Sequence, residues 1–309
     1  MSRFIQIVEV GPRDGLQNEA AVLDPAVRTE FVRRLEAAGA RRIEAVSFVH
    51  PKYVPQMAGA EDVMSSLPPE PGRSRIGLVL NARGYDRALT TAVDEVNVSV
   101  AATDGFGLKN QGLDLKGQAA MLKEIIARRH NAAPGKASPG DAAPGLSVTI
   151  SCVWGCPFDG EVSAGQVADL VGRIAGLGVD EIALADTIGA GDPWAVTRTI
   201  EAAKRAAPEA KLRLHFHDTR NTGLANAYAG VEAGVDILDA SVGGIGGCPF
   251  APGATGNIGT EDLVHMLHRG GFTTGYDLDA LIETAHWIGG HLNKAPPSSL
   301  SRAGPFPKP

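Results

Sequence analysis

Val8-Glu9-Val10-Gly11-Pro12-Arg13-Asp14-Gly15-Leu16-Gln17-Asn18-Glu19 runs from a short apolar strand straight into an Arg-Asp pair and a glycine. The pair sets a fixed cation and a hard oxygen ligand side by side at a strand end. Alone it reads as an ordinary salt bridge, so its meaning depends on what surrounds it. An amphipathic stretch over 25–38 comes next and stops at Gly39, where a positive φ ends a helix at little cost. A second β-type run follows over 42–47. This unit recurs along the chain. Eight β-type runs, over 4–10, 42–47, 75–80, 95–100, 147–152, 181–185, 211–217 and 237–240, alternate with helical stretches such as 85–92, 113–130, 164–177, 194–206 and 224–233. Strands each followed by a helix predict an α/β chain closed into a parallel (β/α)8, or TIM, barrel. A doubly wound open sheet is the competing architecture. The lack of Gly-x-Gly-x-x-Gly after the first strand counts against it.

One barrel domain over 1–295 accounts for the pattern, with an extra C-terminal helix over 278–292 and a Pro-rich tail over 296–309 expected to be poorly ordered. The Pro/Gly/Ala-rich segment 132–145 reads as a mobile loop on the face away from catalysis. The 309 residues are 44% hydrophobic and 21% charged, and 35 acidic against 29 basic groups leave no basic field for nucleic acid. No apolar run approaches the ~20 residues of a membrane span. An odd number of cysteines, three, and a strand beginning near Phe4 without room for a signal peptide suggest a cytoplasmic enzyme with reduced thiols.

In a (β/α)8 barrel the active site lies at the carboxyl ends of the strands. Asp14 follows strand one, Glu44 lies on strand two, Asp186 follows strand six, and Leu214-His215-Phe216-His217-Asp218 closes strand seven. Residues two apart on a strand share a face, so His215 and His217 can aim at one ion. With Asp14 and an amide oxygen they make a mixed N/O site suited to Mg²⁺, Mn²⁺ or Co²⁺ more than to a closed structural zinc. Two core histidines and an unrelated salt bridge are the bland alternative. After strand eight, a glycine-rich loop carries one thiol, Cys248, held where a proton donor or acceptor can approach a ligand. Cys152 and Cys156, with no second pair, read as structural.

These segments closely resemble the 3-hydroxy-3-methylglutaryl-CoA lyase family, within the metal-dependent barrel lyases and Claisen-type synthases. The matching pieces are VEVGPRDGLQNE (8–19), IEAVSFVHPKYVPQM (43–57), SCVWGCPFDG (151–160), ADTIGAG (185–191), LHFHDT (214–219) and GGIGGCPFAPGATGNIGTEDLV (243–264). The resemblance implies Asp14, His215, His217 and Asn257 as ligands of Mg²⁺ or Mn²⁺. It implies Arg13 against the thioester oxygen, Glu44 and Asp186 orienting ligands and substrate, and Cys248 as the protonic catalyst. It also implies retro-Claisen cleavage of an acyl-CoA to acetyl-CoA and a 3-oxo acid, a place in leucine degradation and ketone-body formation, and a homodimer or higher assembly.

Departures from the family pattern fall on the substrate side. Ala20 stands where the family has a lysine, Ser147 or a neighbour stands for a strand-five arginine, and Arg220-Asn221-Thr222 replaces Tyr-Gly-Gln. Phe106, Lys109 and Asn110 are kept after strand four, and Lys109 and Asn110 are assigned to the coenzyme A moiety. Other functions stay open: the same chemistry on another branched 3-hydroxyacyl-CoA, a condensing acyltransferase of the isopropylmalate-synthase kind, or a non-catalytic metal-binding barrel.

Overall fold

A computed structural model describes residues 2–131, 143–247 and 256–306. Eight parallel strands close into a barrel in sequence order. They are β1 (Gln6–Glu9), β2 (Arg42–Ser47), β3 (Ser74–Val79), β4 (Glu95–Ala101), β5 (Gly145–Ser151), β6 (Glu181–Asp186), β7 (Leu212–Phe216) and β8 (Ile237–Ala240). Closure is made by β1 pairing with β8, Gln6 opposite Ile237. All eight predicted strands are present, β2 and β8 with the expected bounds and the others differing by at most two residues at either end. Around them lie α1 (Pro25–Ala37), α2 (Ala60–Ser65), α3 (Ala82–Ala88), α4 (Asp104–Gln111), α5 (Leu115–Asn131), α6 (Ala164–Ala175), α7 (Pro193–Ala206), α8 (Gly223–Glu232), α9 (Thr260–Arg269), α10 (Leu278–Leu292) and α11 (Ser299–Ala303). The helices start where chemistry favours it. Ser163 and Gln166 form a reciprocal capping box on α6, and the Asp192 side chain caps α7 ahead of Pro193.

The large apolar core lies between the barrel and its helices, while Val8, Val10 and Ile76 form a small separate cluster inside. Aliphatic layers commonly fill a (β/α)8 interior. Here the inward positions also carry charge. Arg42 donates to both Glu95 (2.7 Å) and Glu181 (2.7 Å) across the barrel floor. Ser147 donates to Glu95 at 2.6 Å, so the guanidinium of this layer comes from strand two, not from strand five.

Four helices went unseen in the sequence: α2, α4, α9 and α11. α4 is rich in glycine and polar residues and has little apolar periodicity, but the Thr103 hydroxyl caps it. The tail expected to be poorly ordered instead folds into α11. Ser298 caps it and Leu300 is buried against the body. α10 packs on α1 as the extra helix, with the Phe31 and Trp287 rings 6.1 Å apart. Residues 132–142 of the predicted mobile loop lie outside the described residues. No described helix is long and apolar enough to cross a membrane.

Candidate active site

Residues Gly11–Gly15 wind as a single π turn, in which the backbone N–H groups of Arg13, Asp14 and Gly15 all donate to the Val10 carbonyl. Wide turns of this kind concentrate at functional sites. This one lets the adjacent Arg13 and Asp14 side chains face the same place, which a strand would forbid. Gly15 is required, since a Cβ there would lie 2.8 Å from both the Ser241 hydroxyl and the Ile245 side chain. On β2 the register with β3 slips between Glu44 and Val46, the kind of irregularity that re-aims a side chain. Glu44 thus accepts from Arg13 Nε at 2.8 Å and Nη2 at 2.6 Å, while its other oxygen accepts from Asn97 at 3.0 Å.

The predicted histidine pair converges as its spacing requires. The Nε2 atoms of His215 and His217 lie 3.9 and 3.7 Å from Asp14 Oδ2. His217 stands one residue beyond β7 and forms a bridge with Asn257, and Asp218 N–H donates to Gly256 O at 2.8 Å. This pairing delivers the Asn257 amide, whose Nδ2 is 2.8 Å from Asp14 Oδ2. The structure therefore brings together Arg13, Asp14, Glu44, His215, His217 and Asn257. The loop carrying Cys248 lies outside the described residues. Cys156, read as structural, is buried and accepts a hydrogen bond from the Thr103 hydroxyl at 3.0 Å.

Electrostatics favour an ionised Asp14 and a neutral His217, while His215 is drawn toward its protonated form. Burial works against ionisation of Asp14, but Arg13 and the two histidines outweigh it and hold the carboxyl well below the usual range. Burial and then the neighbouring His215 push His217 down to about 4, so its ring is neutral near pH 7. His215 is raised: burial lowers it, but the Asp239 hydrogen bond and Asp14 more than compensate. Burial also works against the Arg13 charge, and Glu44 and Asp14 override it to hold the guanidinium protonated. Asn257 Oδ1 is buried with no hydrogen-bond partner among the described residues. A hard orphaned oxygen beside one carboxylate and two imidazole nitrogens is a donor set that fits a divalent cation, and Asp14, His215 and His217 offer ligand atoms within 4.8 Å of one another.

The cluster sits at the base of a cavity of about 970 Å³. Lys109 and Asn110 line its wall, as does Arg83, which the sequence reading missed. Asp186 stands at the end of β6. It is fully buried, accepts from the backbone of Ala190 (2.8 Å) and Gly191 (2.9 Å), and is not among the cavity-lining residues. It braces the turn after β6. The carboxylate that supports a site histidine is instead Asp239 on β8, 3.1 Å from His215 Nδ1. Its signal was strand parity, two residues before the inward Ser241.

A closed (β/α)8 barrel with an Asp-His-His cluster at its carboxyl rim defines a metal-site barrel of the α/β class. The chain belongs to the HMGL-like family, whose model matches residues 4–288. It is 39% identical over 300 residues to the hydroxymethylglutaryl-CoA lyase of Pseudomonas mevalonii, covering 97% of this chain and 95% of that one. It is 40% identical over 314 residues to the (R)-citramalyl-CoA lyase of Chloroflexus aurantiacus, again covering 97% and 95%. Among solved structures, an HMG-CoA lyase from Acinetobacter baumannii in complex with coenzyme A and 3-methylmalate superimposes with a TM-score of 0.91. It shares 36% identity, and the match covers 99% of this chain and 97% of that one.

Proposed function

We propose that this chain is a divalent-cation-dependent carbon–carbon lyase that cleaves 3-hydroxy-3-methylglutaryl-CoA to acetyl-CoA and acetoacetate. The observation that carries this reading is Asp14 Oδ2 set between two histidine nitrogens, with Arg13 alongside, at the base of a large cavity. Asp14, His215, His217 and Asn257 would hold Mg²⁺ or Mn²⁺, which supplies Lewis acidity to lower the pKa of a substrate hydroxyl. The Cys248 thiolate takes the proton of the substrate's tertiary hydroxyl, the oxygen's electron pair forms the ketone at C3, and the C2–C3 bond breaks. The released pair becomes the enolate of acetyl-CoA, and a proton returns to C2. Arg13, fixed by Glu44, carries the positive charge that stabilises this enolate oxygen. Cys248 on the glycine loop delivers the proton, while Lys109 and Asn110 meet the coenzyme A end. The homodimer that the resemblance implies and the cytoplasmic setting read from the cysteines belong to the same reading.

A second reading, the same cleavage on a differently branched 3-hydroxyacyl-CoA, is favoured by one observation. The citramalyl-CoA lyase and the hydroxymethylglutaryl-CoA lyase are equally similar to this chain. A panel of branched 3-hydroxyacyl-CoA thioesters, assayed for acetyl-CoA release with Mg²⁺, with Mn²⁺ and after chelation, separates the two. Turnover undiminished by chelation would remove the metal-dependent mechanism. In the same assay Cys248→Ser should lose orders of magnitude in rate while still binding Mn²⁺. Normal turnover by that variant takes the thiol out of the reaction.

A further inference from the structure

Arg213 and Asp239 play no part in the cleavage as described, yet both are buried inside the barrel directly beneath the site. Arg213 is wholly inaccessible. Its Nε is 3.1 Å from Glu181 Oε1 and its Nη1 is 3.4 Å from Asp239 Oδ1. Glu181 is in turn held by Arg42 at 2.7 Å, and Arg42 also grips Glu95. At the upper end, Asp239 Oδ2 meets His215 Nδ1 at 3.1 Å. The ladder thus climbs from the barrel floor to the rim. Its three carboxylates face two guanidinium groups, so one negative charge is left over.

We infer that Asp239, anchored from below by Arg213, is a positioning residue that keeps the His215 proton on Nδ1 and the Nε2 lone pair turned toward Asp14. The physical reason is directional. A neutral imidazole has one donor and one acceptor nitrogen, and the partner of one decides the role of the other. A carboxylate can only accept, so Asp239 requires an Nδ1–H and frees Nε2 as a ligand atom. The His217 ring has no such partner: its Nδ1 is buried without a hydrogen bond among the described residues. One histidine is fixed by the ladder, and the other by the backbone bridge to Asn257. Arg213 contributes a fixed cation facing Asp239 Oδ1 from below at 3.4 Å. Its ion pairs span β6, β7 and β8, so the rim geometry is referred to the rigid barrel wall and not to a loop.

This inference rests on the metal-site reading above, and its test separates the two. Long-range ¹H–¹⁵N NMR on the full-length, metal-stripped protein at pH 9 reads the His215 tautomer directly, with the signals assigned by their loss in His215→Gln. Mn²⁺ titration then gives affinity without any thioester. Wild-type His215 is expected to carry its proton on Nδ1. In Asp239→Asn the carboxamide turns its NH₂ away from Arg213 and toward the ring. The proton should move to Nε2, and Mn²⁺ affinity should fall by about 10–100-fold. Arg213→Lys should bind Mn²⁺ nearly as wild type does, and Arg213→Met more weakly. A wild-type ring protonated on Nε2 overturns the inference whatever the variants do, as does a folded Asp239→Asn protein with unchanged Mn²⁺ affinity. Failure of the wild type to bind Mn²⁺ would sink the lyase reading instead, leaving the tautomer measurement to decide this one.

Discussion

Two clusters of charge sit on the axis of the same barrel, one at the floor and one at the mouth, and they are built on opposite rules. At the floor the central cation is answered: Arg42 makes hydrogen bonds to both oxygens of Glu95 and of Glu181, while Arg213 above it meets Glu181 and Asp239 only through ion-pair contacts of 3.1 and 3.4 Å. At the mouth the lone pairs outnumber the donors. Asp14 Oδ2 and two imidazole Nε2 atoms converge on one place, and the Asn257 amide beside them donates to Asp14 while its oxygen has no partner among the described residues. A saturated network holds itself, whereas a convergent surplus of acceptors is complete only with a cation. The contrast teaches that burial and charge do not by themselves mark a functional site. The balance of donors and acceptors does.

The sharpest way to break the comparison is to remove a group from each end. At the mouth, Asp14→Ala or His217→Ala should abolish Mn²⁺ binding and lower turnover by roughly 10³-fold or more, because Lewis acidity contributes several kcal/mol. The melting curve of His217→Ala should change less than that of a floor variant, since its Nδ1 has no hydrogen bond to lose among the described residues, whereas Asp14→Ala also takes an acceptor from Arg13 and Asn257. Turnover within tenfold of wild type would mean the converging atoms do not hold the working ion. At the floor the outcome should invert. Arg42→Met leaves Glu95 unpaired in the interior, which costs about 3–5 kcal/mol of stability in urea unfolding. The protein that remains folded should bind Mn²⁺ normally. A stable Arg42→Met protein that has lost Mn²⁺ affinity would show that the floor, too, is part of the site.

Glu9 ties two segments of the mouth together. Its carboxyl accepts from the backbone of Gly11, which opens the Arg13-Asp14 turn, and of Val242, which opens the glycine loop, and from the Thr260 hydroxyl. Burial outweighs these donors and raises its pKa from 4.5 to about 8. Between those values the folded carboxyl keeps a proton that the unfolded one has lost. Its contribution is therefore complete below pH 4.5, declines as pH rises, and is gone above about 8. The loss is on the order of a few kcal/mol. Denaturant midpoints from pH 5 to 9 should fall accordingly, and Glu9→Gln, which has no titrating proton, should flatten the slope. An unchanged slope in that variant would place the proton elsewhere.

Much of this was legible in the sequence, and what was not has local causes. The histidine pair followed from the two-residue period of a strand, and the barrel from recurring strand–helix units. Asp186 was named from its strand-end position, and its parity turns it away from the cavity. Glu181 points inward, so a residue five further on points out into the β6–α7 turn. Asp239 has the right parity but no motif around it, and only the His215 contact reveals it. The joint aim of Arg13 and Asp14 depends on a π turn, which no periodicity announces. Asn257 came from family resemblance alone, because the bridge to His217 joins segments forty residues apart.

The smallest effect belongs to the rim of the cavity, where the comparison between saturated and unsaturated charge should fade. Lys109 is exposed on the cavity wall, and near it stands Arg83, also exposed. Cations so placed stay hydrated, and salt screens what they contribute. If Lys109 meets the phosphates of a coenzyme A thioester, it helps ground state and transition state equally, because the phosphates lie far from the breaking bond. Lys109→Ala should then raise KM less than about tenfold and leave kcat unchanged, the signature of uniform binding. The difference from wild type should shrink as salt rises toward 1 M, where the Debye length is about 3 Å. A fall in kcat would mean that the rim cation reaches the reacting atoms, and the division between a charged mouth that works and a charged rim that only holds would have to be redrawn.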